Sequence, residues 1–186
     1  MEVKGTAFLA RRDLVARLHG TAALDAILAE VAAVEPFWGE PVLATTHIPM
    51  AAFLLFNQAI IDRFYDGDPQ ANFTLGEESA AWAFEGPYKN LVASRDLERF
   101  VASAPTVYRN YYDQGDAKAE QRGSEIRVSL VGIPATYRSI AIEYGVMGYF
   151  RCGLHRVTGQ VATMAAKRGF SRGDDDVLYH FRLPRI

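Results

Sequence analysis

The sequence is poor in cysteine, in long apolar runs and in excess charge. Cys152 is its single cysteine, which excludes an internal disulfide and any cysteine-rich zinc or iron–sulfur site. No apolar run approaches the roughly 20 residues that span a bilayer, and the first residues lack the basic-then-apolar pattern of a secretory signal. The 20 basic and 22 acidic residues give a net charge of −2, which argues against a general nucleic-acid-binding protein. We therefore expect a cytoplasmic protein.

The length and composition are those of one ordinary globular domain. The chain has 186 residues, of which 49% are hydrophobic and 23% are charged. A chain of this size buries roughly 70% of the surface that its unfolded form exposes. Because there are no repeats and no low-complexity linker, we predict a single domain over residues 1–186, with a helical half to about 115 and a second half from about 116.

The first half of the chain is predicted to be mostly helical. Thr21 is a favourable N-cap residue, and Pro49 suits the first turn of a helix, a start that Asp68-Pro69 repeats. From Met50 to Phe64 the apolar residues recur at the spacing of a buried helix face. The predicted elements are a short strand at 3–9, helices at 21–33, 49–64 and 68–84, and two short helices that begin near Ser94 and Pro105.

The second half changes to the period of two that is typical of strands. Residues 125–130 alternate strictly between polar and apolar side chains, as in a strand with one buried face. Pro134 is predicted to open a long helix that ends near Thr158, and residues 160–168 and 177–183 form a hairpin. We therefore predict an α+β fold, with N-terminal helices packed on a C-terminal antiparallel sheet of about four strands and one long helix between strands.

The predicted long helix carries a stripe of small residues beside its large apolar stripe. The small residues are Ala141, Gly145, Gly148 and Cys152. A glycine inside a helix costs about 1 kcal/mol relative to alanine, so two glycines within one turn indicate that another backbone approaches closely. The approaching backbone is either another helix of this chain or a second copy across a dimer interface at Gly145, Gly148 and Cys152. Both alternatives are compatible with the pattern.

The familiar catalytic and metal-binding motifs are missing. Cys152 and His155 share a helix face, but the thiol lies mid-helix among small residues, where a cysteine is usually a buried apolar side chain. The four histidines are too far apart in the sequence to form a local ligand pair. No nucleophile elbow and no phosphate-binding glycine motif is present. We predict no catalytic residue, no metal site and a protein that is not an enzyme.

Basic residues are concentrated near the end of the chain. Residues 151–186 carry seven basic and three acidic side chains, a net charge of +4, and the remaining residues carry a net charge of −6. This asymmetry predicts either attraction of an anionic ligand or an acidic protein partner, or simple solvation of an exposed sheet edge.

Several short stretches of the sequence are distinctive in combination. They are Val3-Lys4-Gly5-Thr6, Ile48-Pro49, Gly86-Pro87-Tyr88-Lys89, Ala104-Pro105, Tyr111-Tyr112-Asp113-x-Gly115 and Gly153-Leu154. Together they resemble a myxobacterial-type domain family of unknown function, over nearly the whole chain. More distantly, the order of elements resembles the fold of 4-vinyl-reductase (hydrocarbon-binding) domains, heme nitric-oxide/oxygen-binding domains and transport-particle (TRAPP) subunits of the Bet type. That resemblance implies a pocket between helices and sheet for a small or fatty ligand, and a dimer.

Each of these three groups has a feature that the sequence lacks. Vinyl-reductase domains carry cysteines toward the C-terminal hairpin, and no cysteine follows Cys152 here. The gas-sensing heme domains hold the heme propionates with a Tyr-x-Ser-x-Arg motif, and the nearest stretch, Tyr137-Arg138-Ser139, does not reproduce it. The transport-particle subunits use a cysteine near the early helices, which is absent. We therefore expect no cofactor, and heme in particular is not expected.

The sequence thus predicts a non-enzymatic sensor or adaptor module of bacterial signalling that binds a small apolar or amphipathic ligand and forms a homodimer. The ligand site is placed at Phe53, Trp82, Tyr88, Lys89, Arg109, Tyr112 and Phe150. An alternative for the tyrosines among these residues is that they only join the helical half to the sheet. Other functions that remain open are a protein-docking module with a filled core, a heme-based gas sensor, and a lyase or reductase that acts on a hydrophobic substrate.

Overall fold

A computed structural model describes residues 1–184, which form eight α-helices and six β-strands. The helices are α1 (Gly5–His19), α2 (Thr21–Ala32), α3 (Met50–Phe64), α4 (Ala71–Glu85), α5 (Lys89–Ala93), α6 (Leu97–Ala102), α7 (Ala104–Tyr111) and α8 (Ile140–Thr158). The strands are β1 (Glu2–Lys4), β2 (His47–Pro49), β3 (Asp116–Arg122), β4 (Glu125–Val131), β5 (Thr163–Arg168) and β6 (Val177–Arg182). Within these residues, no helix combines the length and the apolar character that a membrane crossing requires. Arg185, part of the basic C-terminal region, lies outside the described residues.

The predicted fold class is confirmed by a four-stranded antiparallel sheet in the order β3-β4-β6-β5, with α8 between its strands in the chain. β3, an edge strand of this sheet, was not predicted, and the strand predicted at residues 3–9 is not part of the sheet. β3 has the sequence Asp-Ala-Lys-Ala-Glu-Gln-Arg, without a β-branched or aromatic residue, so propensity gives no signal for it. β3 lies at the edge of the sheet, where a strand needs little apolar surface, and most of its side chains are exposed.

The first strand is shorter than predicted, because residues 5–9 belong to α1. A short apolar run such as Ala7-Phe8-Leu9 does not distinguish a strand from a buried helix. β1 pairs with β2 in a separate two-stranded sheet, in which Val3 lies opposite Ile48 and both side chains are fully buried.

The N-terminal strand is also joined to the end of α7. Val3 forms an isolated antiparallel bridge with Tyr112. The backbone N–H of Glu2 donates to Oδ1 of Asp113 at 2.7 Å, and the N–H of Asp113 donates to the carbonyl oxygen of Glu2 at 3.4 Å. This connection holds Tyr112 beside the first turn of α1.

The small-residue stripe of α8 packs against α4 of the same chain. A Cβ atom at Gly148 would collide with the backbone carbonyl of Phe73, and one at Gly76 would collide with the carbonyl of Gly145. Each glycine therefore permits a helix backbone to approach where any side chain would block it. The two alternatives were a crossing with another helix of this chain and a dimer interface. At Gly148 the close backbone belongs to α4 of this chain, so Gly148 lies at an internal helix crossing. The homodimer, with an interface at Gly145, Gly148 and Cys152, stays a prediction.

Two cations of the basic C-terminal region pair with carboxylates of the first half of the chain. Nε of Arg151 lies 2.6 Å from Oε1 of Glu77, and Nη2 of Arg156 lies 3.1 Å from Oε1 of Glu85. Both ion pairs join α8 to α4. Arg168 pairs with Asp176 of the same region and Arg182 with Glu125, so four of the six cations that the structure describes here have a carboxylate partner. The acidic protein partner stays a prediction.

Candidate functional site

A narrow pocket, called the slot from here on, lies between the helices and the sheet. Its cavity volume is about 80 Å³, and it is partly open to solvent. Its lining is mostly apolar and aromatic, with Ala7, Met50, Phe53, Leu54, Phe84, Leu91, Phe100, Val107, Val128, Ile142, Val146 and Phe150.

Three of the seven predicted ligand-binding residues line the slot, namely Phe53, Tyr112 and Phe150. They lie on α3, at the end of α7 and on α8, so the fold brings together residues that are far apart in the sequence. The helical spacing of α3 and the apolar stripe of α8 were sufficient signals for Phe53 and Phe150.

The other four predicted residues lie outside the slot. Nε1 of Trp82 donates to Oδ2 of Asp13 at 3.1 Å in a groove on the outer side of α1 and α4. The hydroxyl of Tyr88 accepts from Nδ2 of Asn110 at 2.9 Å. Lys89 and Arg109 are exposed. Lys89 and Arg109, which were predicted to bind the ligand, therefore do not contribute to the slot, because the helix faces that carry them point to solvent.

Among residues 1–184 the one cation that lines the slot is Arg11, which the sequence analysis did not single out. It lies on α1 and is 6% exposed. Its Nε donates to Oδ1 of Asn57 on α3 at 3.1 Å, and its Nη1 donates to the carbonyl oxygen of Leu75 and to the hydroxyl of Ser79 on α4. Burial lowers the pKa of the Arg11 guanidinium to about 10, since desolvation disfavours the charged form. The group is still protonated at neutral pH.

A cluster of four tyrosines lines the slot: Tyr108, Tyr111, Tyr112 and Tyr149. The rings of Tyr108 and Tyr112 are 4.8 Å apart between centroids, and those of Tyr111 and Tyr149 are 5.7 Å apart. The hydroxyl of Tyr108 donates to the carbonyl oxygen of Gln114 at 3.0 Å. The hydroxyl of Tyr149 is buried and has no hydrogen-bond partner in the described part of the chain. Burial raises the pKa of all four phenols, so they remain neutral hydrogen-bonding groups.

These buried phenols predict a steep loss of stability at alkaline pH. Burial raises the folded-state pKa of Tyr108, Tyr111, Tyr112, Tyr149 and Tyr179 above the usual value of about 10 for a free phenol. Their contribution is therefore complete below about pH 10 and is lost above it, where only the unfolded chain ionises, at about 1.4 kcal/mol per group and pH unit. Arg11, whose folded-state pKa is lowered, acts in the opposite direction with a similar slope, so the free energy of unfolding should fall by at least about 3 kcal/mol per pH unit.

Urea unfolding at several alkaline pH values, followed by the ultraviolet absorbance of tyrosinate, measures this effect. Tyrosinate absorbance is expected to appear together with unfolding and not before it. A free energy of unfolding that stays constant to about pH 11 would contradict the burial of these phenols.

The histidines do not lie in the slot. The ring of His19 stacks on Phe64 with 3.7 Å between centroids, and Nδ1 of His47 lies 3.0 Å from Oε2 of Glu2. His155 is exposed near the end of α8, and His180 lies beside Glu125 on the sheet. Among residues 1–184 no group of three or more histidine, cysteine or acidic side chains is arranged to hold a metal ion.

Comparison with known proteins gives solved structures only, since no family model and no curated protein matches the chain. An H-NOX protein from S. oneidensis in the Fe(II)NO ligation state superposes with a TM-score of 0.77 at 12% identity, over 98% of this chain and 99% of that one. The Fe(II) unliganded H-NOX protein from K. algicida gives a TM-score of 0.73 at 14% identity, over 98% and 97% of the two chains. A third structure, from work on modulating heme redox potential through protein-induced porphyrin distortion, gives 0.71 at 14% identity, over 96% and 99%.

These neighbours correct two expectations from the sequence. The chain has the H-NOX fold. Of the three groups named in the sequence analysis, it is therefore similar to the heme nitric-oxide/oxygen-binding domains. The predicted resemblance to the 4-vinyl-reductase fold is wrong. The expectation that no cofactor, heme included, is involved is contradicted by neighbours described with Fe(II), Fe(II)NO and a porphyrin. The myxobacterial-type family stays a prediction.

Proposed function

We propose that this chain is a sensor module that binds a flat, heme-class ligand in the slot. The observation that carries the proposal is the lining of the slot, in which apolar and aromatic side chains from the helices and the sheet surround a cavity of about 80 Å³. A porphyrin ring is flat and largely apolar, which matches this lining, and the walls must separate to admit it, because ligand pockets hold roughly 300–1,000 Å³. The H-NOX fold supports the proposal by analogy, because its solved neighbours are described with iron and a porphyrin.

The side chains of the slot fit the ring of such a ligand better than its iron. A heme iron is usually held by histidine, cysteine, methionine or tyrosine, and neither a histidine nor a cysteine lines the slot as described. The thioether of Met50 and the four phenols are the candidate ligands that do line it. We infer that shape and charge hold the ligand more than a bond to iron does.

The propionate-binding motif of the gas-sensing domains is present in part. Tyr137 and Ser139 have the Tyr-x-Ser spacing of the motif, but Ala141 stands at the position of its arginine and lines the slot. The hydroxyl of Ser139 accepts from the backbone N–H of Ile142 at 3.4 Å and caps α8. The motif arginine therefore has no counterpart at this end of α8.

Two features of the chain would act on a bound ligand. The aromatic side chains of Phe53, Phe100 and Phe150 would pack against its faces and exclude water. The unpartnered hydroxyl of Tyr149 would offer it a hydrogen bond. A heme bound there would supply an iron atom that can take up a diatomic gas.

Titration of the purified protein with hemin and with metal-free protoporphyrin IX tests the proposal. Both should bind with a dissociation constant of about 1 μM or less, and the two constants should agree within about tenfold because no histidine or cysteine of the slot favours the iron. Fluorescence quenching and the shift of the Soret band give the two constants. Hemin binding that is more than about a hundredfold tighter would show that the chain ligates the iron, contrary to our inference.

Two variants at Gly145 test whether the ligand binds in the slot. A Cβ at Gly145 would meet no atom within 4 Å, so Gly145→Ala leaves room while Gly145→Leu fills part of the slot. Gly145→Leu should weaken porphyrin binding by at least about tenfold, and Gly145→Ala by less than about threefold. Wild-type protein that binds neither porphyrin, or a Gly145→Leu variant that binds as tightly as wild type, would overturn the proposal. That the module forms a homodimer and is not an enzyme stay predictions.

A further inference from the structure

We propose that Arg11 is the anchor for a carboxylate of the ligand, so that the ligand of the slot is a flat or apolar acid. This inference rests on the proposed function, and it adds the chemical class of the group that enters the slot. It depends on a buried guanidinium on α1 that has no anionic partner and on the buried phenols beside it.

Arg11 is a buried cation without a buried anion. Its three hydrogen bonds go to an amide oxygen, a backbone carbonyl and a hydroxyl, all of them neutral. In residues 1–184 no ion pair includes Arg11, and no hydrogen bond uses its Nη2. Buried charges in proteins are normally paired, because an isolated charge loses its hydration without compensation.

The acidic groups near Arg11 do not supply the missing charge. Glu78 is the one carboxylate whose field acts on the guanidinium, and its Oε2 is bound to Nη2 of Arg17 at 2.8 Å on the surface. The other groups that act on Arg11 are the phenols of Tyr65, Tyr111 and Tyr112, and burial keeps the pKa of each phenol above its usual range. An anion must therefore come from outside the chain.

The slot also holds buried phenols. Those of Tyr111 and Tyr112 act on the guanidinium of Arg11, and the buried hydroxyl of Tyr149 lies next to that of Tyr111 without a hydrogen bond of good geometry to a described residue. A guanidinium with neighbouring phenols can bind a carboxylate, since both kinds of group donate and a carboxylate only accepts. The rest of the slot is apolar, which excludes a small hydrophilic anion and favours an acid with a large apolar body.

The carboxylate can belong to a porphyrin or to an open-chain acid, and esterification tests the shared chemistry. Wild-type protein should bind protoporphyrin IX at least about thirtyfold more tightly than its dimethyl ester, which has the same ring without charge. Arg11→Met should bind acid and ester about equally, and Arg11→Lys should retain part of the preference because it keeps the charge. Arg12→Met is the matched control, since Arg12 is half-exposed and paired with Asp13, and it should behave like wild type.

Displacement of bound porphyrin by hexadecanoate and by hexadecanol separates the two sources. If hexadecanoate displaces the porphyrin and hexadecanol does not, and if this happens only in protein that contains Arg11, the result supports Arg11 as the carboxylate anchor. It also shows that the anchor accepts open-chain acids. Acid and ester that bind wild type equally would overturn the inference and leave the proposed function intact. Failure of both porphyrins to bind would instead overturn the proposed function. Thermal unfolding of each variant establishes that it is folded before binding is compared.

Discussion

Gly148→Ala is expected to lower the free energy of unfolding by about 2–3 kcal/mol, whereas Gly145→Ala should raise it by up to about 1 kcal/mol. The two glycines lie three residues apart on α8 and have the same helical conformation. They differ in what a methyl group would meet. At Gly148 it would collide with the backbone carbonyl of Phe73, and at Gly145 it would find no atom within 4 Å.

The pair of variants isolates the helix crossing from helix propensity. Alanine favours the helix equally at both positions, so the difference between the two variants reports the contact of α8 with α4. Urea unfolding of both proteins measures it, and the melting temperature of Gly148→Ala should fall by roughly 5–10 °C. Equal stabilities of the two variants, or a Gly148→Ala protein that is as stable as wild type but has a smaller mass in solution, would contradict the internal crossing.

Glu143→Ala is expected to lower the free energy of unfolding by about 3–4 kcal/mol. Glu143 is fully buried on α8. Its Oε2 accepts from the backbone N–H of Ser171 at 2.8 Å, and its Oε1 accepts from the hydroxyls of Ser171 at 3.0 Å and Tyr179 at 2.7 Å. Removal of the carboxylate leaves all three donors unpaired, and it separates α8 from the turn at residues 170–172 and from β6.

Tyr179→Phe is the control for this prediction. It removes one of the three hydrogen bonds and leaves the carboxylate with two donors, so it should cost only about 1 kcal/mol. Chemical unfolding at neutral pH compares the two variants. A Glu143→Ala protein that is no less stable than Tyr179→Phe would show that the carboxylate is not a joint between α8 and the sheet.

The periodic parts of the fold were predictable and the short polar parts were not. The helical spacing between Met50 and Phe64 and the alternation in residues 125–130 correspond to α3 and β4, because each buries one continuous apolar face. β3 was missed because an edge strand needs no apolar alternation. Residues 5–9 were misassigned because the packing of α1 against α2 and α4, and not the local pattern, makes them helical.

The candidate site was predictable only where apolar residues form it. Phe53 and Phe150 were found from helix faces, while Arg11 was missed, because a single arginine in the stretch Ala10-Arg11-Arg12 looks like part of a solvated face. Arg11 is buried and the adjacent Arg12 is not, because α3 and α4 supply hydrogen-bond partners for Arg11 from distant positions in the sequence. The exposed residues Lys89 and Arg109 were selected because sequence cannot show on which side of a short helix a cation lies.

The joint between β1 and the end of α7 sets an order of events during synthesis of the protein. Glu2 and Asp113, which the joint connects, are 111 positions apart in the chain. At the usual rate of about 5–20 residues per second, β1 waits roughly 6–22 s on the ribosome before Tyr112 and Asp113 are made. The walls contributed by α8 follow later still. A ligand in the cell therefore meets a finished slot only after α8 has been made, and the helices that form first must avoid aggregation without it.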